Sequence, residues 1–289
     1  MLTENYEKKG YLIQQFKVFR LKDHLGKIPF HYHEFHKIIL FISGKVDYII
    51  EGKSYPLVPR DIIFVSAGEI HRPIADERVA YERIVIYISL DFLDCYNRTG
   101  EKLSDCFLLA RNRSSVMHLN PGKTHDILYH MEKLENNAYQ QGFANELYTE
   151  ILFIEFMILL NRALLSHEID DMHIAVYDKK ILPILQYINK NLFEELTIDA
   201  LAEKFYMSRF YMMRRFKKAT GYSIHQYIVN KRLLCSQNML ASDIPLTKIC
   251  FDCGFHDYST FSRAFKELFK QTPKQYRKKH YLNSREENR

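Results

Sequence analysis

Apolar and polar residues alternate in short runs between residues 30 and 89. The runs cover residues 38–42, 46–50, 55–58, 62–65 and 84–89. Gly44, Gly52 and the Pro59-Arg60-Asp61 segment separate them. Short runs divided by turns every 8 to 12 residues or so are typical of an antiparallel barrel or sandwich. We therefore predict an antiparallel β-barrel with flanking helices over residues 1–120.

Apolar spacing changes to a helical period beyond the barrel. Residues 123–137 and 146–166 predict two helices, within a helical segment that spans residues 121–168. The second helix carries an apolar stripe made of Leu147, Ile151, Ile154, Ile158 and Leu165. This stripe either packs on the barrel or forms a dimer interface. The acidic segment 169–178 that follows predicts a linker.

One helical pattern occurs twice in the last hundred residues, which we predict to form an all-α domain over residues 179–289. The first copy contains Leu201, Ala202, Ser208, Met212, Arg214, Phe216, Lys217, Ser223, Gln226 and Tyr227. The second contains Ile249, Cys250, Asp257, Phe261, Arg263, Phe265, Lys266, Thr272, Gln275 and Tyr276. The offset is 48 residues before an internal turn and 49 after it. Each copy predicts a helix-turn-helix module, and two modules indicate DNA binding.

Capping residues mark where the helices of these modules begin and end. Thr197 and Ser208 precede the two helices of the first module, and Asp257 precedes the second helix of the second module. Gly221 follows the second helix of the first module, at a position where a left-handed backbone conformation is favoured. Ser223 begins a helix of about 18 residues, or about 27 Å, which could hold two recognition helices near one DNA turn apart.

The second helix of each module is the candidate recognition helix. In the first, Met212 and Phe216 face the core, so that Arg209, Met213, Arg214 and Lys217 lie on the exposed side. In the second, the exposed side offers Ser259, Ser262, Arg263 and Lys266. Arg277, Lys278 and Lys279 follow as predicted phosphate contacts. A salt bridge within the module is an alternative role for Arg263.

Charge is distributed unevenly between the two parts of the chain. The net charge is +6, but residues 179–289 carry 21 Lys and Arg against 10 Asp and Glu, whereas residues 1–178 carry 20 against 25. A basic domain beside an acidic one agrees with binding to a phosphate backbone. The five cysteines are expected to be free thiols, and Cys250 and Cys253 to be packing residues, because zinc needs further ligands.

The composition excludes a membrane protein. The longest apolar stretch, 151–160, contains Glu155 and is far shorter than the ~20 residues of a membrane span. Residues 1–10 lack the features of a secretory signal. We therefore expect a cytoplasmic protein.

Over residues 179–279 the chain resembles the DNA-binding region of the AraC/XylS family of transcription regulators. The residues that carry the resemblance are Leu201, Ala202, Phe216, Lys217, Lys218, Gly221, Ser223, Tyr227, Arg232, Gly254, Phe255, Tyr258, Phe261, Arg263, Phe265, Lys266, Pro273 and Tyr276. Lys270 stands where the family often has Gly, and Ile224 where it often has Pro. The resemblance implies a homodimer that binds double-stranded promoter DNA and a small-molecule effector, often a sugar. The resemblance also implies that the protein activates transcription and that it contacts RNA polymerase in doing so.

The family's base-reading positions fall on Phe210, Met213 and Arg214 in the first recognition helix. In the second they fall on Ser259, Ser262 and Arg263. Arginine can bond guanine O6 and N7 with two hydrogen bonds, so Arg214 is the strongest candidate. Met213 could offer only an apolar contact, for example to a thymine methyl group.

The N-terminal part is similar to the two cupin motifs at His31, His33 and Gly44, and at Gly68 and His71. Cupin enzymes hold a metal with two His and a Glu from the first motif and one His from the second, but here Lys37 occupies the Glu position, and a cation repels a metal. Glu34 and His36 should point away from His33 on a regular strand. We therefore expect no metal or other cofactor, but an effector pocket lined by His31, His33, Lys37 and His71. An exterior or salt-bridged Lys37 is the alternative.

Three functions compete. The first is an effector-responsive, sequence-specific transcription regulator of a metabolic operon, with carbohydrate use a common theme of the family. The second is a metal-dependent cupin enzyme with a DNA-binding appendage, against which Lys37 argues. The third is an architectural DNA binder, which would leave the predicted pocket without a role. The sequence favours the regulator, which is not an enzyme.

Overall fold

The chain folds into two compact units, residues 1–177 and 178–289. This computed structural model describes residues 12, 15–96, 100–119, 122, 125–166, 175–240 and 242–278. Each unit has its own hydrophobic core. The described helices include none that is long and apolar enough to span a bilayer.

Nine antiparallel strands form two sheets among the described residues of the first unit. The strands are β1 (Phe16–Asp23), β2 (His36–Ser43), β3 (Val46–Ile50), β4 (Lys53–Pro56), β5 (Asp61–Val65), β6 (His71–Ala75), β7 (Tyr81–Ile88), β8 (Val116–His118) and β9 (Val176–Tyr177). One sheet has the order β1-β7-β2-β5-β8 and the other β6-β3-β4-β9. The antiparallel prediction is confirmed, although the ladders among the described residues make two sheets and not one closed barrel.

Two apolar cores explain why β2 and β5 read as continuous apolar runs. Ile39 and Ile63 belong to the core that also holds residues of β3 and β4. Ile38 and Phe64 belong to the core that the helices share. A strand buried on both faces loses the alternation of a half-exposed strand.

Where the first unit is described, it contains four helices: α1 (Leu90–Asp94), α2 (Asp105–Asn112), α3 (His125–Ala138) and α4 (Asn145–Leu165). Phe153, Phe156 and Leu160 of α4 pack in the helix-covered core. The stripe predicted to pack on the barrel or between subunits is exposed at Leu147, Ile151, Ile158 and Leu165, and only Ile154 packs against the core. Packing on the sheet is therefore the wrong interpretation for those four residues.

The segment predicted as a linker lies partly outside the described residues. Val176 and Tyr177 at its end form β9, which pairs with Lys53 and Ser54 of β4. Asp178 begins the second unit.

The described part of the second unit contains six helices: α5 (Leu182–Lys190), α6 (Ile198–Lys204), α7 (Arg209–Thr220), α8 (Ile224–Met239), α9 (Leu246–Asp252) and α10 (Tyr258–Phe269). The pairs α6–α7 and α9–α10 are the two predicted helix-turn-helix modules, and α8 lies between them in the chain. Thr197 and Asp257 cap α6 and α10 by accepting hydrogen bonds from Ala200 N–H and Thr260 N–H. Ser208 precedes α7 without such a bond.

The two modules repeat their internal contacts as well as their sequence. The Phe216 ring stands edge-on to Tyr227 at a centroid distance of 5.4 Å, and Phe265 stands edge-on to Tyr276 at 5.7 Å. Ser223 and Gln226 exchange capping hydrogen bonds at the start of α8, and Thr272 exchanges them in the same way with Gln275. The repeat is therefore one of structure.

The residues after α7 and α10 also share one backbone conformation. Gly221 has a φ of 79°, and Lys270 has a φ of 62°. Both are left-handed, so Lys270 occupies a position that favours glycine.

Candidate DNA-binding surface and effector pocket

The exposed face of α7 carries the residues predicted to read DNA. Phe210 is 83% exposed, Arg214 and Lys217 are exposed, and Met213 is half-buried. The opposite face buries Met212 and Phe216 completely. Three- and four-residue spacing places the first group in one row along the helix.

Two other arginines of α7 are engaged within their unit. Arg209 forms an ion pair with Asp199 at 2.8 Å, in which both side chains are largely exposed and to which we assign little stability. Arg215 pairs with Asp178 and donates to the Tyr211 hydroxyl. Burial alone would raise the pKa of Asp178, but the hydrogen bonds and charge of Arg215, together with hydrogen bonds from the backbone N–H groups of Lys180 and Ile181, lower that pKa.

The matching face of α10 is less basic. Ser259, Arg263 and Lys266 are exposed, and Ser262 is half-buried, whereas Phe261 and Phe265 are fully buried. Arg263 makes no ion pair within the described part of the chain. Hydrogen bonds from Thr260 are the main cause that lowers the pKa of Asp257, and the charge of Arg263 adds a smaller contribution. The predicted salt bridge is therefore absent among the described residues.

The predicted phosphate contacts after α10 differ in their surroundings. The Arg277 guanidinium donates to the carbonyl oxygens of Leu240 at 3.3 Å and Ile244 at 2.6 Å, so it closes the end of α8. Lys278 is exposed, and Lys279 lies outside the described residues. Arg277 thus has a structural role that the sequence did not show.

Arg232 of α8 ties the second module to the end of α5. Its three nitrogens donate to the carbonyl oxygens of Leu192 at 2.7 Å, Gly254 at 2.7 Å and Glu194 at 2.6 Å. The turn of the second module is thereby held against the segment that follows α5. Sequence reasoning found Arg232 only as a residue of the family pattern, because nothing in the helical spacing indicates which carbonyls lie near it.

Three buried histidines meet in the first unit. The ring centroids of His31 and His71 are 4.4 Å apart, and that of His33 lies 5.1 Å and 5.2 Å from theirs. The Nδ1 atoms of His31 and His71 lie at hydrogen-bond distance from the carbonyl oxygens of Pro29 and Glu69. Neither ring nitrogen of His33 has a hydrogen-bond partner among the described residues. Burial, then the charge of Lys37, lowers the pKa of His33 to about 2.

Lys37 is 3% exposed, so the exterior alternative is wrong. With His31 it lines a cavity of about 10 Å³, whose other walls include Tyr48, Tyr81 and Arg83. Burial, together with the charge of Arg83, lowers the pKa of Lys37 to about 7. Sequence reasoning did not find these three wall residues, since Tyr48 lies on β3 and Tyr81 and Arg83 lie on β7, and only the folding of these strands brings them to the cavity beside Lys37.

His36, the nearby alternative ligand, points elsewhere. Its ring stacks on Phe107 of α2 at a centroid distance of 4.0 Å. Its Nδ1 accepts a hydrogen bond from Ala67 N–H. His36 is therefore directed away from the histidine cluster, as predicted, although His33 lies before β2 and not on a regular strand.

A metal ion fits the spacing of the three histidines but not the charge around them. One ring nitrogen from each of His31, His33 and His71 lies within 4.8 Å of the others, which is suitable for ligands of one ion. Lys37 and Arg83 nevertheless place two basic groups beside this cluster, and no carboxylate is among the residues that line the cavity. The surroundings oppose a cation.

Comparisons with known proteins agree with both units. An AraC-like ligand-binding domain matches residues 19–157, and a helix-turn-helix domain matches residues 201–279. The HTH-type transcriptional activator RhaS of Shigella sonnei is 25% identical over 257 residues, and that of Escherichia coli O1:K1 is 24% identical. Each match covers 86% of this chain and 87% of the relative.

Two solved structures are also similar. ToxT from Vibrio cholerae is 15% identical with a TM-score of 0.36, covering 91% of this chain and 97% of its own. The DNA-binding domain of AdpA, in complex with a target DNA, is 25% identical with a TM-score of 0.35, covering 37% and 96%. The two domain models, with the ligand-binding domain preceding the helix-turn-helix domain, cover most of the chain. This protein therefore belongs to the AraC family of transcription regulators.

Proposed function

We propose that this protein is an effector-responsive transcription regulator that binds promoter DNA in a sequence-specific manner. The observation that carries the proposal is the structural repeat of two helix-turn-helix modules, each with an exposed polar face on its second helix. The relatives named as transcriptional activators favour activation, and an activator contacts RNA polymerase. Promoter binding would place the protein in the bacterial cytoplasm, as a regulator and not an enzyme.

In the first module, Arg214 reads a base. Its side chain is exposed and makes no hydrogen bond or ion pair within the described residues, so its guanidinium is available to bond guanine O6 and N7. Phe210 and Met213 supply apolar surface suited to a thymine methyl group. Lys217 and Arg209 suit phosphate, which adds affinity without sequence preference.

In the second module, Ser259, Ser262 and Arg263 take the corresponding positions. Lys266 suits phosphate, whereas Arg277 would have to give up its carbonyl partners to contact DNA fully. Since α7 offers more basic groups than α10, the first module supplies more of the affinity.

The effector pocket lies in the first unit, with His31, His33, Lys37 and His71 as its polar groups. Support comes from their common burial and from the cavity that His31 and Lys37 share. Effector binding changes DNA binding only if the two states of the protein differ in effector affinity. Ligand titration in the presence and absence of DNA measures that difference.

We also propose that α4 joins two copies into a homodimer. Leu147, Ile151, Ile154 and Ile158 follow the alternating four- and three-residue spacing of a coiled-coil seam, and Leu165 lies one heptad beyond Ile158. Four of them are exposed. Replacing Ile151 and Ile158 with Glu should therefore give a monomer in sedimentation analysis, while an unchanged sedimentation coefficient would place the interface elsewhere.

Chromatin immunoprecipitation in the native host tests the regulator. The wild-type protein should be enriched at a few promoters whose transcripts change when the gene is deleted. The double variant Arg214→Ala, Arg263→Ala should lose that enrichment. Lys190→Ala, which removes an exposed charge from α5, is the control. Equal enrichment of the double variant and the control would refute the proposed reading surface.

A further inference from the structure

Lys37 is a buried cation without a counter-charge. Among the described residues, no carboxylate and no hydrogen-bond acceptor pairs with its ammonium group. The Lys37 Nζ atom lies over the Tyr87 ring, 5.7 Å from the ring centroid. An unpaired buried charge is costly, and a buried ionisable group that lines a cavity is a candidate site for a ligand that supplies the missing partner.

The walls around Lys37 add donors and positive charge. Arg83 is 2% exposed, and its Nη1 donates to an Asp23 carboxylate oxygen at 2.7 Å and to the Tyr81 carbonyl oxygen at 2.9 Å. Asp23 itself is 42% exposed and is not one of the residues that line the cavity. The hydroxyl-bearing side chains of Tyr48 and Tyr81 complete the polar wall. Ammonium, guanidinium and phenol groups all suit oxyanions.

We propose that the effector is an anion whose carboxylate or phosphate group binds Lys37, between His31 and Arg83. This inference rests on the proposed function, since it names the chemical class of the effector that the regulator senses. It also explains why lysine stands at a position where cupin enzymes have a metal-binding glutamate.

The present size of the cavity adds a condition. About 10 Å³ holds roughly one water molecule, and a carboxylate is larger. The lining must therefore move outward when the anion enters. Residues 24–35, which carry Ile28 and His31, run between β1 and β2 without a regular strand. They are joined to β6 by the backbone bridge between His31 and His71, and this segment is the part of the lining that moves.

Thermal unfolding and calorimetric titration of the full-length protein test the inference. The probes are inorganic phosphate, acetate, and pairs that differ in charge: glucose 6-phosphate with glucose, and lactate with 1,2-propanediol. Zn²⁺ is a separate arm. The variants are Lys37→Met, which keeps the length of the side chain without its charge, and Lys45→Met, an exposed control in the turn before β3.

At least one anion should stabilise the wild type and Lys45→Met, while its neutral counterpart should not. Lys37→Met should lower the affinity for that anion by about 10- to 100-fold, which corresponds to the loss of a hydrogen bond to a charged group. Whether phosphate or a carboxylate gives the shift identifies the source of the oxyanion. Hydrogen exchange should change in residues 24–35 on binding.

Three results would overturn the inference. The first is equal binding of the neutral counterparts, and the second is no response to any anion. The third is stabilisation by Zn²⁺ alone that is lost in His33→Ala and kept in Lys37→Met, which would establish a metal site. Failure of the proposed function would be distinguishable from failure of this inference, because the wild-type protein would then show no sequence-specific DNA binding.

Discussion

Replacing Gly254 with alanine should destabilise the second unit by about 3 kcal/mol. Gly254 has a φ of 79°, and a Cβ atom there would lie 2.7 Å from the Phe193 carbonyl oxygen and 3.0 Å from Arg232 Cζ. The left-handed conformation costs an alanine about 1 kcal/mol. Displacing Arg232 from the Gly254 carbonyl oxygen costs about 2 kcal/mol more, because that hydrogen bond involves a charge.

Hydrogen exchange followed by mass spectrometry measures this loss in the second unit alone. A loss of 3 kcal/mol should speed exchange of the most protected amides in α8 and α10 by roughly a hundredfold. Gly26→Ala is the matched control, since a Cβ at Gly26 has no atom within 4 Å, and it should leave exchange in both units unchanged. Exchange in Gly254→Ala within about threefold of wild type would refute the reasoning about this turn.

Three further changes have defined outcomes. Arg214→Ala should weaken binding to a selected DNA site by about 1–3 kcal/mol and relax the preference at one base position. Lys217→Ala should weaken binding to selected and random DNA alike. Equal losses of binding to both DNAs for Arg214→Ala would exclude base reading by Arg214. Lys37 has a folded pKa of about 7, against 10.5 as its ordinary value. Because the folded state then binds fewer protons than the unfolded state, wild-type stability should rise from pH 7 toward pH 10, and urea unfolding of Lys37→Met should lack that slope; parallel slopes would contradict the burial argument. Ser223→Ala removes one half of the α8 capping box and should cost about 1 kcal/mol in urea unfolding, while a loss below about 0.3 kcal/mol would show that the cap is dispensable.

The helical half of the fold was predictable because its signals are local. Thr197 and Asp257 cap the helices that the sequence assigned to them, since a cap needs only the next few residues. The structural partners of Arg215 and Arg277 were not predictable. Asp178 lies 37 residues from Arg215, and Leu240 lies 37 residues from Arg277. No local pattern signals such contacts.

The first unit shows the same division. The five predicted strands are present, but β1, β6, β8 and β9 were not predicted. β1 and β9 lie outside residues 30–89, to which the strand prediction was confined, and β6 and β8 carry polar residues such as Arg72 and His118. The motif histidines were found from their resemblance to the cupin motifs. Arg83 was not, because its role depends on the cavity that the sheet residues enclose together.

Selection of binding sites by the full-length protein from a library of random duplexes tests the central claim most directly. If one chain reads two successive major grooves through α7 and α10, the half-site bound by each chain of the proposed homodimer should contain two short elements about 10–11 bp apart from centre to centre. Inserting about 5 bp between them, half a helical turn, should lower affinity at least tenfold. A selected site with a single element, or one that tolerates the insertion, would contradict the claim.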